Sequence, residues 1–381
     1  MKDLSVLVAS DSFKGSLSSS EVADLIEEGI MRVAPSCRVT KRAIADGGEG
    51  TVNALVSATG GRFRSVEVSG PLGEPVLARY GFIGSDTAVI EMAESSGLTL
   101  IDRNEANALR ASTLGVGQVI LDAIDQGARR IYVGLGGSAT SDGGVGMAKA
   151  LGVRFLDGAG GPIDCGLAGL EQLESIDCSH IVNRISGVEF VALTDVSNTL
   201  CGPHGAVCVY GPQKGLSNKG LSCFDGWMRR YGQLLESIAG QDVAGLPGSG
   251  AAGGLGAALV AFCGARIERG IDSILDLIGL EDAMRNVSLV ITGEGRMDSQ
   301  SAFGKAPIGV ARRAKCRGIP VIAVVGGRAE DIGDVYQEGI DLVIPISIEP
   351  MTLESCMSRA DSLVPLAGES AIRALLMNSS G

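Results

Sequence analysis

Short runs of apolar and β-branched residues alternate along this chain with stretches in which apolar residues recur at helical spacing. The first run predicts a strand over residues 4–9, and Ser18 with Glu21 forms a capping-box pattern at the start of a predicted helix. A second strand is predicted over residues 37–45 and a second helix over 52–58. Strands that alternate with helices in this way are typical of βαβ units around a largely parallel sheet.

The two ends of the chain share this pattern, whereas the middle differs from both. The carboxyl-terminal part repeats the order, with strands predicted over 287–292, 319–325 and 342–346. The middle is less regular, with strands predicted over 66–70, 76–83, 87–92 and 130–135. We therefore predict a discontinuous α/β domain, residues 1–66 plus 287–381, into which a second α/β domain, residues 67–286, is inserted. One domain built from all these units, or two consecutive domains, remain alternatives.

Five polar, glycine-rich segments carry the candidate chemistry, and four of them follow predicted strands. They are residues 9–16 (ASDSFKGS), 45–51 (ADGGEGT), 134–144 (GLGGSATSDGG), 193–198 (LTDVSN) and 292–305 (TGEGRMDSQSAFGK). In open α/β sheets, ligands bind beyond the carboxyl ends of the strands, where loops and helix amino termini meet. A simple turn from strand to helix explains any one segment slightly better. Together they predict one cleft, placed between the two domains.

The first two segments contribute a lysine and several acidic or hydroxyl side chains. Lys14 would offset phosphate or carboxylate charge, with Asp11 and Ser12 beside it as substrate-binding candidates, although an ordinary solvated lysine is an equal alternative. Asp46 and Glu49 lie among glycines and would hold Mg2+ or accept a hydroxyl proton. Capping of the following helix is the competing explanation for Asp46.

The third segment and the start of the fifth are candidates for binding a nucleotide. Small residues and hydroxyl groups in the third would admit a polyphosphate without clashes. The predicted nucleotide-binding residues are Gly136, Gly137, Ser138, Thr140, Gly293 and Gly295.

The fifth segment is also the most densely charged. Arg296 and Lys305 would bind substrate or neutralise a transferred phosphate, Asp298 would act in catalysis, and Glu294 would hold a metal ion. Salt bridges among these residues are the alternative.

Several familiar catalytic patterns are missing from the sequence. It contains no GxxxxGK[ST] motif, and its only two histidines are distant from each other and from zinc-like cysteine spacings. The GxGxxG pattern at 248–253 does not follow a predicted strand, which argues against a dinucleotide site. A general base must therefore be a carboxylate or a lysine, and the catalytic candidates are Lys14, Asp46, Asp195 and Asp298.

The net charge and the composition indicate which classes of binding partner are not expected. The chain has 32 Lys and Arg against 44 Asp and Glu, a formal charge of -12, so a nucleic-acid partner is not expected. The same field would repel ATP and carboxylates at long range, so an anion site must rely on local amides, Mg2+ and a few cations. No export signal or membrane-length apolar stretch is visible, and nine cysteines lack a CxxC pair, which predicts a cytoplasmic protein without a membrane partner.

Taken together, the segments resemble the bacterial glycerate kinase family, type I, over essentially the whole chain. The motifs that carry the resemblance, in family order, are DSFKGS, ADGGEGT, GPLG (70–73), GLGGSATSDGG, GPQKG (211–215), AAGGLGAAL (251–259) and LVITGEGRMDSQS (289–301). Two positions depart from the family: Thr199 stands where DVxNPL has proline, and Gly15 where an acidic residue is frequent.

The resemblance implies ATP-dependent phosphorylation of D-glycerate with Mg2+, most often at the 2-hydroxyl. It also implies a flavodoxin-like domain with an inserted α/β domain. A carboxylate-binding protein without chemistry, or an α/β transferase acting on another small acid, are the alternatives. A homo-oligomer is left open.

Overall fold

The structure, a computed structural model, describes residues 4–45, 47–48, 50–181, 183–303 and 305–378. Two of the predicted acidic residues, Asp46 and Glu49, lie outside the described residues.

Thirteen strands lie within the described part of the chain. In chain order they are β1 (Ser5–Ser10), β2 (Arg38–Lys41), β3 (Arg62–Ser69), β4 (Pro75–Ile83), β5 (Thr87–Glu91), β6 (Arg130–Gly134), β7 (Arg154–Leu156), β8 (Ser175–Asp177), β9 (Glu189–Leu193), β10 (Arg266–Glu268), β11 (Leu289–Met297), β12 (Val321–Arg328) and β13 (Leu342–Pro345).

The same residues form fourteen α-helices. They are α1 (Ser19–Val33), α2 (Thr51–Thr59), α3 (Ala93–Ser96), α4 (Glu105–Arg110), α5 (Leu114–Asp125), α6 (Val145–Ala150), α7 (Ala206–Lys214), α8 (Leu221–Ala239), α9 (Ala251–Cys263), α10 (Gly270–Leu277), α11 (Leu280–Ala283), α12 (Ala306–Lys315), α13 (Leu353–Ser358) and α14 (Ala360–Asn378). Short 3-10 helices lie at Leu98–Leu100, Leu167–Glu171, Asn183–Ile185, Ser301–Phe303 and Gly333–Tyr336.

The chain divides into two compact units. Unit 1 comprises residues 1–46, 53–59 and 271–381, and unit 2 comprises 47–52 and 60–270. The domain boundaries after residues 66 and 286 stay a prediction.

Unit 1 is built on a five-stranded sheet in the order β2-β1-β11-β12-β13, with every neighbouring pair parallel. This is the flavodoxin-like order, and the strand sequence reverses direction between β1 and β11. Val6 and Val8 are buried in a cluster with α1 and α14, and Leu7 between them is buried too. Burial on both faces explains the continuous apolar run in β1.

Unit 2 contains a six-stranded mixed sheet in the order β10-β9-β6-β5-β4-β3. Strands β5, β6, β9 and β10 are parallel neighbours, whereas β3 and β4 are antiparallel and form one edge. β5 is buried along its whole length, whereas only Val68 of β3 is buried. The less regular middle of the sequence therefore reflects a sheet whose antiparallel edge faces solvent.

Most predicted elements are confirmed, although several differ in their bounds, such as the strand predicted over 66–70, which is Arg62–Ser69. The capping box is present, because Ser18 accepts from the Glu21 amide and the Glu21 carboxylate accepts from the Ser18 amide. The predicted strand 37–45 is shorter, at Arg38–Lys41. The prediction of a loop after residue 292 is wrong for its first residues, since β11 continues to Met297 by pairing with Arg328 of β12.

No helix within the described ranges is both long enough and apolar enough to cross a membrane.

Candidate functional site

A cavity of about 400 Å³ lies in unit 1 at the carboxyl ends of its parallel strands. Its lining includes residues 11–14 and Ser16 after β1, the end of β11, Gly326 of β12 and Ile346 after β13. Strands β1 and β11 are the pair between which the strand order reverses, so the cavity lies where open α/β sheets bind ligands.

Eight of the predicted site residues line the cavity, although they lie up to 294 positions apart in the sequence, and we call them its polar wall. They are Asp11, Ser12, Lys14, Glu294, Gly295, Arg296, Asp298 and Lys305. The Asp11 amide donates to the Gly293 carbonyl at 2.9 Å, which ties the first segment to β11. The Asp11 carboxylate is mostly buried and accepts from the Ser12 amide at 2.6 Å. Lys14 and Arg296 are exposed, so both cationic side chains can reach an incoming anion.

Within the polar wall, Lys305 lies between two carboxylates. Its Nζ is 3.7 Å from Glu294 Oε2 and 4.0 Å from Asp298 Oδ1. The Lys305 and Asp298 side chains are about one-third exposed, so solvent weakens this pairing. The Asp298 carboxylate also accepts from the Gln300 amide at 3.0 Å, which fixes its direction. The salt bridges suspected from the sequence are therefore present, and they leave the lysine able to exchange partners with a bound anion.

Six further lining residues are apolar or carry thiol or thioether groups, and we call this part of the lining the apolar wall. They are Phe13, Ile346, Leu353, Cys356, Met357 and Ala360. The Ser16 hydroxyl donates to the Met357 carbonyl at 2.9 Å, which joins this wall to the loop after β1. No polar or glycine-rich motif marks residues 346–360, so the sequence carries no signal for this wall.

In unit 2, the predicted nucleotide loop follows β6 and packs against residues 47–48. A Cβ added to Gly136 would lie 2.8 Å from Gly48 Cα, so only glycine permits this approach. The Gly137 carbonyl accepts from the Leu98 amide at 2.8 Å, and the Ala139 amide donates to the Ser96 carbonyl at 2.9 Å. The loop backbone is therefore held by bonds to a neighbouring segment.

Two of the predicted nucleotide residues meet a buried lysine that sequence reasoning did not select. Lys214, at the end of α7, donates from Nζ to Ser138 Oγ at 2.9 Å and to the Thr140 carbonyl at 2.6 Å. The lysine is 2 % exposed, and burial lowers its pKa to about 7, although Asp142 opposes this shift. Its position inside the GPQKG motif was the available signal.

The same loop contains a buried carboxylate with a structural role. Asp142 accepts from the amides of Thr113, Gly144 and Gly146 and from the Thr113 hydroxyl, at 2.9 to 3.1 Å. Burial raises its pKa, and these four donors oppose the rise. Thr140 Oγ1 and Ser141 Oγ beside it are buried and have no hydrogen-bond partner within the described residues.

Asp195 is exposed and follows β9, which is the parallel neighbour of β6. It therefore lies at the same edge of the unit 2 sheet as residues 136–140. Across the described ranges, no group of three or more His, Cys, Asp or Glu side chains could hold a metal ion. Magnesium is commonly held by one or two carboxylates together with substrate phosphates, so Glu294 and Asp298 fit such an ion without forming a complete protein cage.

Comparison with known proteins gives one consistent result. Residues 6–376 match the model of the glycerate kinase family. The chain is 45% identical to a glycerate kinase of Bacillus subtilis, with 94% of each chain covered. It is 43% identical to a glycerate 2-kinase of Escherichia coli, again with 94% of each covered.

A solved crystal structure adds to this result. It is that of a protein proposed to be glycerate kinase 2 from Salmonella typhimurium LT2, which is 42% identical, covers both chains fully and superposes with a TM-score of 0.90. The chain belongs to the glycerate kinase family and is an enzyme of that type.

Proposed function

We propose that this enzyme transfers the terminal phosphoryl group of ATP to D-glycerate, at the 2-hydroxyl, giving 2-phospho-D-glycerate and ADP. The supporting observation is the meeting of three cations and three carboxylates around one cavity at the strand-order reversal of unit 1. The name of the Escherichia coli relative, glycerate 2-kinase, supports the position of transfer.

The polar wall provides the charges that this reaction needs. Phosphoryl transfer requires little covalent chemistry from the protein, so positioning and electrostatic stabilisation dominate. Lys14, Arg296 and Lys305 would hold the glycerate carboxylate and the transferred phosphate, and Asp11 and Ser12 would orient the substrate. Lys305 would move from its carboxylate partners to the more highly charged ligand, because those contacts are long and partly solvated.

A carboxylate would accept the proton of the substrate hydroxyl. Asp298 is the candidate within the cavity, Asp195 is the candidate in unit 2, and Asp46 remains a candidate from the sequence alone. Glu294 and Asp46 are the proposed magnesium ligands, and Mg2+ when bound would neutralise phosphate charge. The glycines and hydroxyls of residues 136–140, with Gly293 and Gly295, are proposed to bind the nucleotide.

The activity is tested by measuring ADP release with glycerate, lactate, tartronate and glucarate as acceptors. We expect turnover with glycerate to exceed the others clearly, and phosphorus NMR of the product to show the 2-phosphate. Equal or greater turnover with another acid would refute the substrate, and a 3-phosphate product would refute the position.

The residue roles are tested with Lys14→Met, Asp195→Asn and Asp298→Asn. Each should lower kcat by about 10²- to 10⁴-fold while the protein remains folded. Asp331→Asn is a matched control for Asp298, because Asp331 also accepts from an amide two residues later, at 2.8 Å, and does not line the cavity. Near-normal rates in all three variants would show that these roles are wrong.

A further inference from the structure

The cavity of unit 1 has an apolar wall that glycerate does not need. Each carbon of glycerate bears an oxygen, so the acid has no apolar face to place against Leu353, Met357 and Ile346. A cavity of about 400 Å³ is also of the size that holds drug-like or cofactor-sized molecules rather than a three-carbon acid. A ligand with a polar part and a flat, largely apolar part would match both walls.

The donor nucleotide of a kinase has this composition. Its phosphates match Lys14 and Arg296, which are exposed on the polar wall. Its base offers a wide, flat surface that aliphatic and thioether side chains can cover. The hydrogen bond from Ser16 to the Met357 carbonyl keeps the apolar wall beside the loop that carries Lys14, so both parts of one ligand can be held together.

We propose that Ile346, Leu353 and Met357 bind the base of the donor nucleotide, with its terminal, transferred phosphate directed toward Lys14 and Arg296. This inference rests on the proposed function, because it assumes a nucleotide donor. It assigns the nucleotide's base to unit 1, at residues 346–357, for which no role had been predicted.

Leu353 allows a direct test because the residue is 77% exposed and contributes little to the core. Leu353→Ser removes apolar surface from the wall without leaving a buried cavity. Met377→Ser is the matched control, since Met377 is 79% exposed on α14 of the same unit and does not line the cavity. When the base covers the leucine side chain, the burial of apolar surface stabilises the bound nucleotide. Losing this stabilisation in Leu353→Ser should raise KM for ATP roughly tenfold.

In Leu353→Ser, KM for glycerate and kcat should stay within about twofold of the wild-type values, since the contact with the base is the same in the ground state and in the transition state. Met377→Ser should match the wild type in all three constants. A rise in KM for glycerate with KM for ATP unchanged would overturn the inference and assign the wall to the acceptor. An unchanged KM for both substrates would overturn it as well.

Calorimetric binding of ADP and of inorganic tripolyphosphate separates this inference from the proposed function. Leu353→Ser should weaken ADP binding roughly tenfold and leave tripolyphosphate binding unchanged, because only ADP carries a base. Equal weakening of both ligands, no weakening, or no ADP binding to the wild type would overturn the inference. This measurement does not use glycerate, so a failure of glycerate phosphorylation would refute the proposed function without deciding the base site.

Discussion

Replacing the buried Lys214 with methionine should make the protein more stable at neutral pH. The ordinary pKa of a lysine is 10.5, and burial lowers that of Lys214 to about 7. Between these values the unfolded chain carries the proton and the folded protein does not, so unfolding takes up a proton. The contribution of this group to stability therefore falls as the pH is lowered from 10.5 toward 7, and it levels off below pH 7.

The size of the effect follows from the shift. At 1.36 kcal/mol for each pH unit, the full cost is about 5 kcal/mol near or below pH 7. Lys214→Met removes this cost, and it also loses the bonds to Ser138 and Thr140, which are worth about 1 kcal/mol each, with a further penalty of about 1 kcal/mol for the unpaired Thr140 carbonyl. We expect the variant to be more stable than the wild type by roughly 1–3 kcal/mol at pH 7.

The assay is urea unfolding followed by the fluorescence of Trp227, the single tryptophan of the chain. Trp227 lies on α8, which packs against the helix that carries Lys214, so it reports on unit 2. The advantage of the variant should shrink by about 2 kcal/mol between pH 7 and pH 8.5. Taking the difference between the two proteins cancels the titration of their other groups.

Lys149→Met is the control for lost hydrogen bonds. Lys149 Nζ also donates to two carbonyls, those of Ile163 and Asp164, but its side chain keeps contact with water. This variant should be slightly less stable than the wild type at every pH between 6 and 8.5. A stability difference between Lys214→Met and the wild type that does not change with pH would refute the reasoning for Lys214.

Two further predictions concern the loop after β6. Asp142→Asn should destabilise unit 2 by about 2–4 kcal/mol in urea unfolding, because four donors point at the two carboxylate oxygens and the asparagine nitrogen that replaces one oxygen cannot accept a hydrogen bond. Unchanged stability would contradict the structural role of Asp142. Gly253→Ala should lower the melting temperature much more than Gly264→Ala. Both glycines have positive φ, but only a Cβ at 253 would overlap a neighbour, the Thr140 carbonyl oxygen at 2.1 Å. If both variants lost the same amount of melting temperature, the strain of a positive φ would account for the loss and the overlap at residue 253 would not contribute.

The local pattern of apolar and polar residues predicted much of the architecture. The apolar run of β1, the capping box of α1 and the alternation of strands with helices depend on neighbours within a few residues, so sequence periodicity predicts them. Polar residues directly after strands marked Asp11, Lys14 and Asp298 as site candidates, because the carboxyl ends of parallel strands share one edge.

What tertiary structure decided was which distant segments meet, and how deeply they are buried. Residues 11–14 reach 294–305 because β1 pairs with β11, a choice made by long-range packing that no local pattern encodes. The same packing extends β11 to Met297, because the last residues of β11 pair with those of β12.

In the sequence, nothing distinguishes Lys214 from an ordinary surface lysine. Only its burial in unit 2 lowers its pKa. The apolar wall at Leu353 and Met357 likewise arises where helix α13 faces the strand ends. Sequence thus determined the elements and their polar ends, because these depend on short-range periodicity. The folded chain alone determined the environment of each side chain, because burial and charge proximity depend on contacts between residues far apart in the sequence.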